Sequence, residues 1–251
     1  MNSRTAEVNR RSHKPYVLTL AGLDPCAGAG LAADLKTFEG MDVHGLCVCT
    51  ALTYQNHKNF NGITWTSKPA MKKQLTPLLD EYPISSVKVG IIEGLRSLEY
   101  MLSLIKKSCP QAPVIWDPVL KASAGFAFHK KLNEKKLERL CRSADIITPN
   151  GDEARALGGF SSLEKSAKYL SDSCAVLVTG VRQRKTGISD MLYYQGRITR
   201  FSRKRLVHGD RHGSGCVLSA ALAASLALGN DLESACRKAG NVARGYIKGS
   251  L

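Results

Sequence analysis

A chain of 251 residues, 43% hydrophobic and 23% charged, carries enough apolar material for one sizeable core, and one α/β domain fits that length better than two small ones. Thirty-six Lys and Arg against 21 Asp and Glu leave a net charge of +15, which favours an anionic partner, a phosphorylated small molecule or a nucleic acid, without choosing between them. The longest apolar stretch, 216–228, is too short to span a bilayer, residues 1–15 lack the apolar run of a secretory signal, and the eight cysteines form no Cys-x-x-Cys; a membrane span, a disulfide scaffold and a structural zinc site are all disfavoured, and a cytoplasmic location is expected.

After a basic N-terminal segment, 1–15, short β-branched runs alternate with longer amphipathic ones, the pattern of βαβ units on a mostly parallel sheet. In chain order the strands are expected at 16–21, 43–52, 86–89, 114–116, 145–148 and 175–179. The intervening helices are expected at 30–38, 69–79, 95–106, 133–142, 152–157 and 163–170. Segments 190–194 and 198–201, joined through Gln195 and Gly196, read as a small antiparallel hairpin, and helices over 214–229 and 232–247 close the chain. No internal repeat or long linker divides 16–251, and functional loops belong at the carboxyl ends of the strands.

Gly28-Ala29-Gly30-Leu31-Ala32-Ala33 follows the first strand and formally satisfies G-x-G-x-x-A. The acidic residue that a dinucleotide site needs after the second strand is missing, so a tight strand-to-helix turn explains the glycines as well. Gly180 to Thr186 lacks the glycine before lysine of a phosphate loop and reads as a basic loop. His212-Gly213-Ser214-Gly215-Cys216 is stronger: small residues stand where a helix begins, so backbone N–H groups and the positive helix end suit a transferring phosphoryl group. Ser214 is the candidate N-cap, and Cys216 would lie in the first turn, where the dipole lowers a thiol pKa; burial as a small hydrophobe is the plainer account.

Asn150 and Glu153 fall at a strand's carboxyl end beside a helix start, where they suit hydrated Mg²⁺ or else cap the helix; Asp117 is a second strand-end carboxylate. Asp34, with Gln55 after the second strand, offers hydrogen bonds to a polar ligand or is simply solvated. Arg197, Arg200, Arg203, Lys204 and Arg205 read as charges protecting a strand edge.

Taken together, Ala21-Gly22-Leu23-Asp24-Pro25, Gly28 through Phe38, Thr50 through Asn56, Lys88-Val89-Gly90, Asp117-Pro118-Val119, Ile147 through Asn150 with Glu153, and His212 through Cys216 resemble, in order, the hydroxymethylpyrimidine and phosphomethylpyrimidine kinases. The resemblance implies a ribokinase-like fold, a central mostly parallel sheet flanked by helices, and ATP-dependent phosphorylation of hydroxymethylpyrimidine and its monophosphate in thiamin synthesis, with ATP and Mg²⁺ required. It implies a pyrimidine held by Asp34 and Gln55 and lined by Gly22 and Val119, and an anion hole of Gly213, Ser214 and Gly215. Cys216 takes the place of the base, and Asn150, Glu153, Thr179 and Gly180 lie about the ATP phosphates. Mg²⁺ is expected near Glu153 and Asp117, through water. Departures include Leu23, Cys26-Ala27, Ala32, Ser123-Ala124-Gly125 with Lys121 displaced, and Thr179-Gly180-Val181 in place of Lys-Gly-Gly. Arg182, Arg184, Lys185 and Arg211 would supply the missing cations, Arg211 as a phosphate ligand. The partners expected are a heteroaromatic alcohol and ATP, with a second copy of the chain as a further candidate and neither membrane nor nucleic acid. Pyridoxal or pyridoxine is the nearest alternative substrate, and a ligand-sensing or nucleic-acid-binding homologue is the rival of another class.

Overall fold

The computed structural model describes residues 14–56, 58–120, 134–182, 187–206 and 211–249, with backbone only at 134–138. In chain order the elements are β1 (Tyr16–Leu23), α1 (Gly30–Gly40), β2 (His44–Gln55), β3 (Phe60–Trp65), α2 (Lys68–Glu81), β4 (Ile84–Val89), α3 (Gly94–Ser108), β5 (Val114–Trp116), α4 (Glu134–Ser143), β6 (Ile146–Ile147), α5 (Gly151–Gly158), α6 (Leu163–Ser171), β7 (Ala175–Arg182), β8 (Gly187–Tyr194), β9 (Arg197–Lys204), α7 (Ser214–Ala227) and α8 (Leu232–Lys248). All nine strands join one sheet in the order β3-β2-β1-β4-β5-β6-β7-β8-β9. From β2 to β7 the pairs are parallel, and the antiparallel pairs lie toward the two edges, β2–β3 at one and β7–β8–β9 at the other.

Alternation along the strands sorts their apolar side chains onto two faces. Leu18, Val114, Trp116, Val176 and Val178 join a core with residues of α2 to α6, while Val17, Ile115, Ala175 and Leu177 join a second core under α1, α7 and α8. Nine consecutive residues of α7, Val217 to Ser225, are buried, so this helix has no polar stripe at all, as a central helix requires. Polar residues interrupt the second face near the middle of the sheet: Ser86 donates to Ala223 O at 2.8 Å, and Thr19 donates to Asp34 Oδ2 at 2.6 Å.

β1 pairs with β2 on one side and β4 on the other, so the chain reverses its direction of travel across the sheet at β1. In open α/β sheets such a reversal opens a crevice beyond the strand carboxyl ends. The main departure from the expected elements is β3. Asn61 and Gly62 break its apolar alternation, and pairing with β2 supplies the order that local propensity does not.

Candidate functional site

A cleft of about 1060 Å³ lies over the carboxyl ends of β1, β4, β5, β6 and β7, which contribute Gly22, Lys88, Asp117, Thr148 and Thr179 to its wall. That volume is ample for two small substrates side by side.

The glycine-rich turn after β1 is organised from within. Asp24, 2% exposed, accepts hydrogen bonds from the N–H groups of Cys26 at 2.9 Å, Gly28 at 3.2 Å and Ala29 at 2.9 Å. A carboxylate of the chain therefore occupies the backbone donors that a dinucleotide pyrophosphate would need, and the turn is the tight strand-to-helix connection rather than a nucleotide loop. His212 Nε2 stands 3.3 Å from Asp24 Oδ2, and Tyr246 Oη lies 2.9 Å from Gly28 O and 2.8 Å from His212 O, so α8 clasps this turn against the one that opens α7.

At that second turn Gly213, not Ser214, is the N-cap of α7, with φ of 84° and no side-chain cap. A Cβ at Gly213 would overlap Gly28 O, so the left-handed conformation and the close approach of the two turns both require glycine. Ser214 N–H is taken by Arg211 O at 3.2 Å; among the described residues those of Gly215 and Cys216 are left to an anion, at the positive end of the helix. Cys216 is half-buried where α7 begins, and the backbone N–H of Gly30, the first residue of α1, is near enough to favour its thiolate form. The expected lowering of its pKa does not follow. Burial pushes the thiol up to about 11, with Asp117 and Asp34 adding to the shift while Lys88 and the Gly30 N–H oppose it, so Cys216 is a neutral thiol at pH 7.

Asp34 also departs from its expected role. It is fully buried, its two oxygens lie 3.0 and 2.8 Å from Lys88 Nζ, and it does not reach the cleft wall, so it holds a lysine rather than a pyrimidine. Lys88, also fully buried, does reach the cleft. Burial opposes its charge, but Asp34, Cys216 and Asp117 outweigh that and raise its pKa, so the ammonium persists beneath the cleft. Lys88 carries the only charge of its sign in this buried group, and its motif pointed to the strand but not to its role.

Asn150 and Glu153 form a full capping box on α5: the Asn150 side chain accepts from the N–H groups of Asp152 and Glu153, and Glu153 Oε2 accepts from Asn150 N–H at 2.9 Å. Glu153 Oε1 also accepts from Leu120 N–H at 3.3 Å. The capping account of this turn holds, yet Asn150 and Glu153 still line the cleft. Burial, with Asp117 second, pushes the Glu153 carboxyl up to about 7. Asp117, 5% exposed, accepts from Ser219 Oγ at 2.8 Å, and burial raises its pKa as well. Thr148, one strand along, has a buried Oγ1 with no hydrogen-bond partner among the described residues. Two mutually repelling carboxylates and an orphaned hydroxyl fit a hydrated cation carried in on phosphate; no group of three metal-ligating side chains exists among the described residues to make a protein cage.

Gly22, Gln55, Val119, Thr179, Gly180 and the Gly213–Cys216 turn all line the one cleft. Arg211 does not: its guanidinium lies over the Tyr246 ring, 4.2 Å from the centroid, and bonds to Tyr246 O, so it locks α8 instead of meeting phosphate. Lys121, Ser123-Ala124-Gly125, Arg184 and Lys185 fall outside the described residues. Asp24, His212 and Tyr246 form a unit that the sequence does not announce. The spacing of 188 residues between Asp24 and His212 leaves no local signal.

Residues 24–251 match the family model described as phosphomethylpyrimidine kinase. The chain is 32% identical to a hydroxymethylpyrimidine/phosphomethylpyrimidine kinase of Haemophilus influenzae, over 91% of this chain and 89% of that protein, and 31% identical to one of Streptomyces coelicolor, over 94% and 88%. It spans about a third of the thiamine biosynthesis multifunctional protein of Corynebacterium efficiens, with 29% identity. Among solved structures it is similar to the phosphomethylpyrimidine kinase of Clostridium difficile 630, with a TM-score of 0.75 and 28% identity over 94% of this chain and 99% of that one. It is also similar to the pyridoxal kinase of Staphylococcus aureus in complex with AMP-PCP and pyridoxal, with a TM-score of 0.82 and 26% identity over 94% and 88%. No described helix is long and apolar enough to cross a membrane.

Proposed function

This chain belongs to the phosphomethylpyrimidine kinase family, and on that footing we propose that it transfers the γ-phosphoryl group of ATP to the hydroxymethyl group of hydroxymethylpyrimidine, and then a second one to the monophosphate. The observation that carries this reading is the convergence, in one cleft, of the uncapped start of α7, Lys88 and the Asp117–Glu153 pair. Phosphoryl transfer asks for in-line positioning and neutralisation of charge more than for covalent chemistry, and these groups supply both. The N–H groups of Gly215 and Cys216 hold the oxygens of the transferring group, and Lys88 offsets its charge from below. Mg²⁺, held through water by Glu153 and Asp117, would supply further charge neutralisation. Gln55, Gly22 and Val119 remain the residues for the heteroaromatic ring.

The alcohol oxygen attacks the γ-phosphorus, the bond to the bridging oxygen breaks, ADP leaves, and the hydroxyl proton passes to an oxygen of the transferred phosphoryl group and from there to water. A neutral Cys216 thiol cannot take that proton. Its fitting role near neutral pH is to orient the hydroxyl, with the thiolate, supported by Lys88 and the Gly30 N–H, becoming available as base only at higher pH. The second step differs, since a phosphate monoester is already ionised and needs neither service. Cys216→Ala should therefore lower turnover of hydroxymethylpyrimidine by about 10²-fold and that of the monophosphate far less.

The test is ATP consumption by the purified protein with hydroxymethylpyrimidine, its monophosphate and pyridoxal in turn. The likeness to pyridoxal kinases earns the third substrate its place in that assay. Turnover of the pyrimidines supports the reading; turnover of pyridoxal alone moves the substrate, and no consumption with any of the three removes the kinase.

A further inference from the structure

β8 and β9 bring a second built feature to the same cleft. Ile188 pairs with Arg203 and Asp190 with Phe201, so Asp190 and Arg203 are diagonal neighbours on one face of the sheet, which α8 covers. Asp190, 5% exposed, accepts from Gly180 N–H at 3.0 Å and from Arg203 Nη1, which ties the turn expected on the nucleotide side to the arginine. The Arg203 side chain is 16% exposed and lines the cleft. Beneath it lies Gly240 of α8, where any Cβ would overlap the guanidinium. Glycine inside a helix is less stable than alanine, so this position trades helix stability for room for the arginine.

The surroundings say what such a group would meet. Asp190 already balances the charge of Arg203, which makes it a weak partner for a polyanion, and the start of α7, which lines the same cleft, is the part suited to phosphate. Arg203 shares the cleft lining with Ile188, its partner across the β8–β9 pair, and with the aliphatic Leu206, Ala243 and Ile247, beside the further cations Arg182, Arg205 and Arg244. A planar, charge-balanced cation among aliphatic side chains suits a flat neutral heteroaromatic ring. Resting on the ATP-dependent reading above, we propose that Arg203, locked by Asp190 and seated on Gly240, is the platform on which the purine ring of the phosphoryl donor stacks. Arg203 thereby leaves the row of edge-protecting charges to which its spacing assigned it.

Two variants and two ligands test this. ADP carries the base and phosphates, whereas inorganic tripolyphosphate carries phosphates alone; their binding is measured by calorimetry on the wild type, Arg203→Ala and Gly240→Ala. Both variants should bind ADP about tenfold more weakly, within the range of base stacking, and tripolyphosphate unchanged. Gly240→Ala gains helix propensity but forces the guanidinium aside and strains its pair with Asp190, so the melting of both variants is followed and binding is measured well below it; retained tripolyphosphate binding then separates loss of the platform from unfolding. Equal losses for both ligands would make Arg203 a phosphate contact and overturn the platform. Unchanged ADP binding in both variants would leave only a structural ion pair. A wild type that binds no ADP would instead overturn the kinase reading and this inference together.

Discussion

Removing an ammonium or a carboxylate from water costs several kcal/mol, and Lys88 and Asp34 recover that cost chiefly from each other, with Thr19 completing the set of donors around the carboxylate. Breaking the pair is therefore worse than deleting it. Lys88→Met should destabilise the protein by about 3–5 kcal/mol, because Asp34 is left buried and unpaired, and adding Asp34→Asn should restore a substantial part of the loss. Urea denaturation of the two variants checks this, and a double variant no more stable than the single one would show that the carboxylate is not the source of the cost. Activity should stay low in both, since neither has the ammonium under the cleft. Lys88 stands between Val87 and Val89 on a strand whose centre is buried, and a lysine there demands an anion somewhere. The sequence exposes that demand without saying which of 21 acidic residues meets it. The family resemblance puts the pyrimidine on Asp34, but a lysine 54 positions away takes the carboxylate instead.

Whole elements were more legible, because periodicity, caps and breakers are local. β5 and the start of α1 fall where the alternation and the glycine turn put them, and the Asn150–Glu153 spacing is itself the signature of the capping box. What spacing left open was whether that box also serves the site. Its second role has a pH signature. Glu153 is held near 7 in the folded protein, above the ordinary value of 4.5, so the folded state binds its proton more tightly than the unfolded chain does. Stability from this group is present in full below about pH 4.5 and is lost as pH rises through 7, and Glu153→Gln should abolish that decline between pH 5 and 8 in denaturation curves. The same variant should need severalfold more Mg²⁺ for half-maximal activity at pH 8, where the wild-type carboxylate is ionised, and differ less at pH 6, where it is mostly protonated. An unchanged Mg²⁺ titration at pH 8 would leave Glu153 a capping residue alone. β3 was not legible for the opposite reason: an edge strand with Asn61 and Gly62 at its centre depends on β2, not on its own residues.

On the scale of the whole molecule, part of the positive excess falls into two populations about β9 and the cleft that composition cannot separate. Arg197, Arg200 and Lys204 stand exposed along β9, the outermost strand, where they discourage pairing with another sheet edge. Arg182, Arg203, Arg205 and Arg244 instead line the cleft. A row of exposed cations and a cleft of cations make different use of an anion. Binding of a nucleic acid along β9 would release counterions, and with 6–10 phosphate contacts its affinity would fall by about 10³–10⁵ between 50 and 200 mM salt. Charge turned into a cleft that small substrates fill has no such multiplicity. We therefore expect single-stranded and duplex oligonucleotides to bind only at low salt, to be lost near physiological salt, and not to compete with ATP at any salt tested. Fluorescence anisotropy with labelled oligonucleotides, run beside the kinase assay in the same buffers, measures both at once. Neutralising Arg197, Arg200 and Lys204 together should remove the low-salt binding and leave phosphoryl transfer intact. Tight oligonucleotide binding that survives 150 mM salt, in a protein that phosphorylates none of the three alcohol or monophosphate substrates, would mean that the edge population carries the function and that the cleft is a relic of the fold.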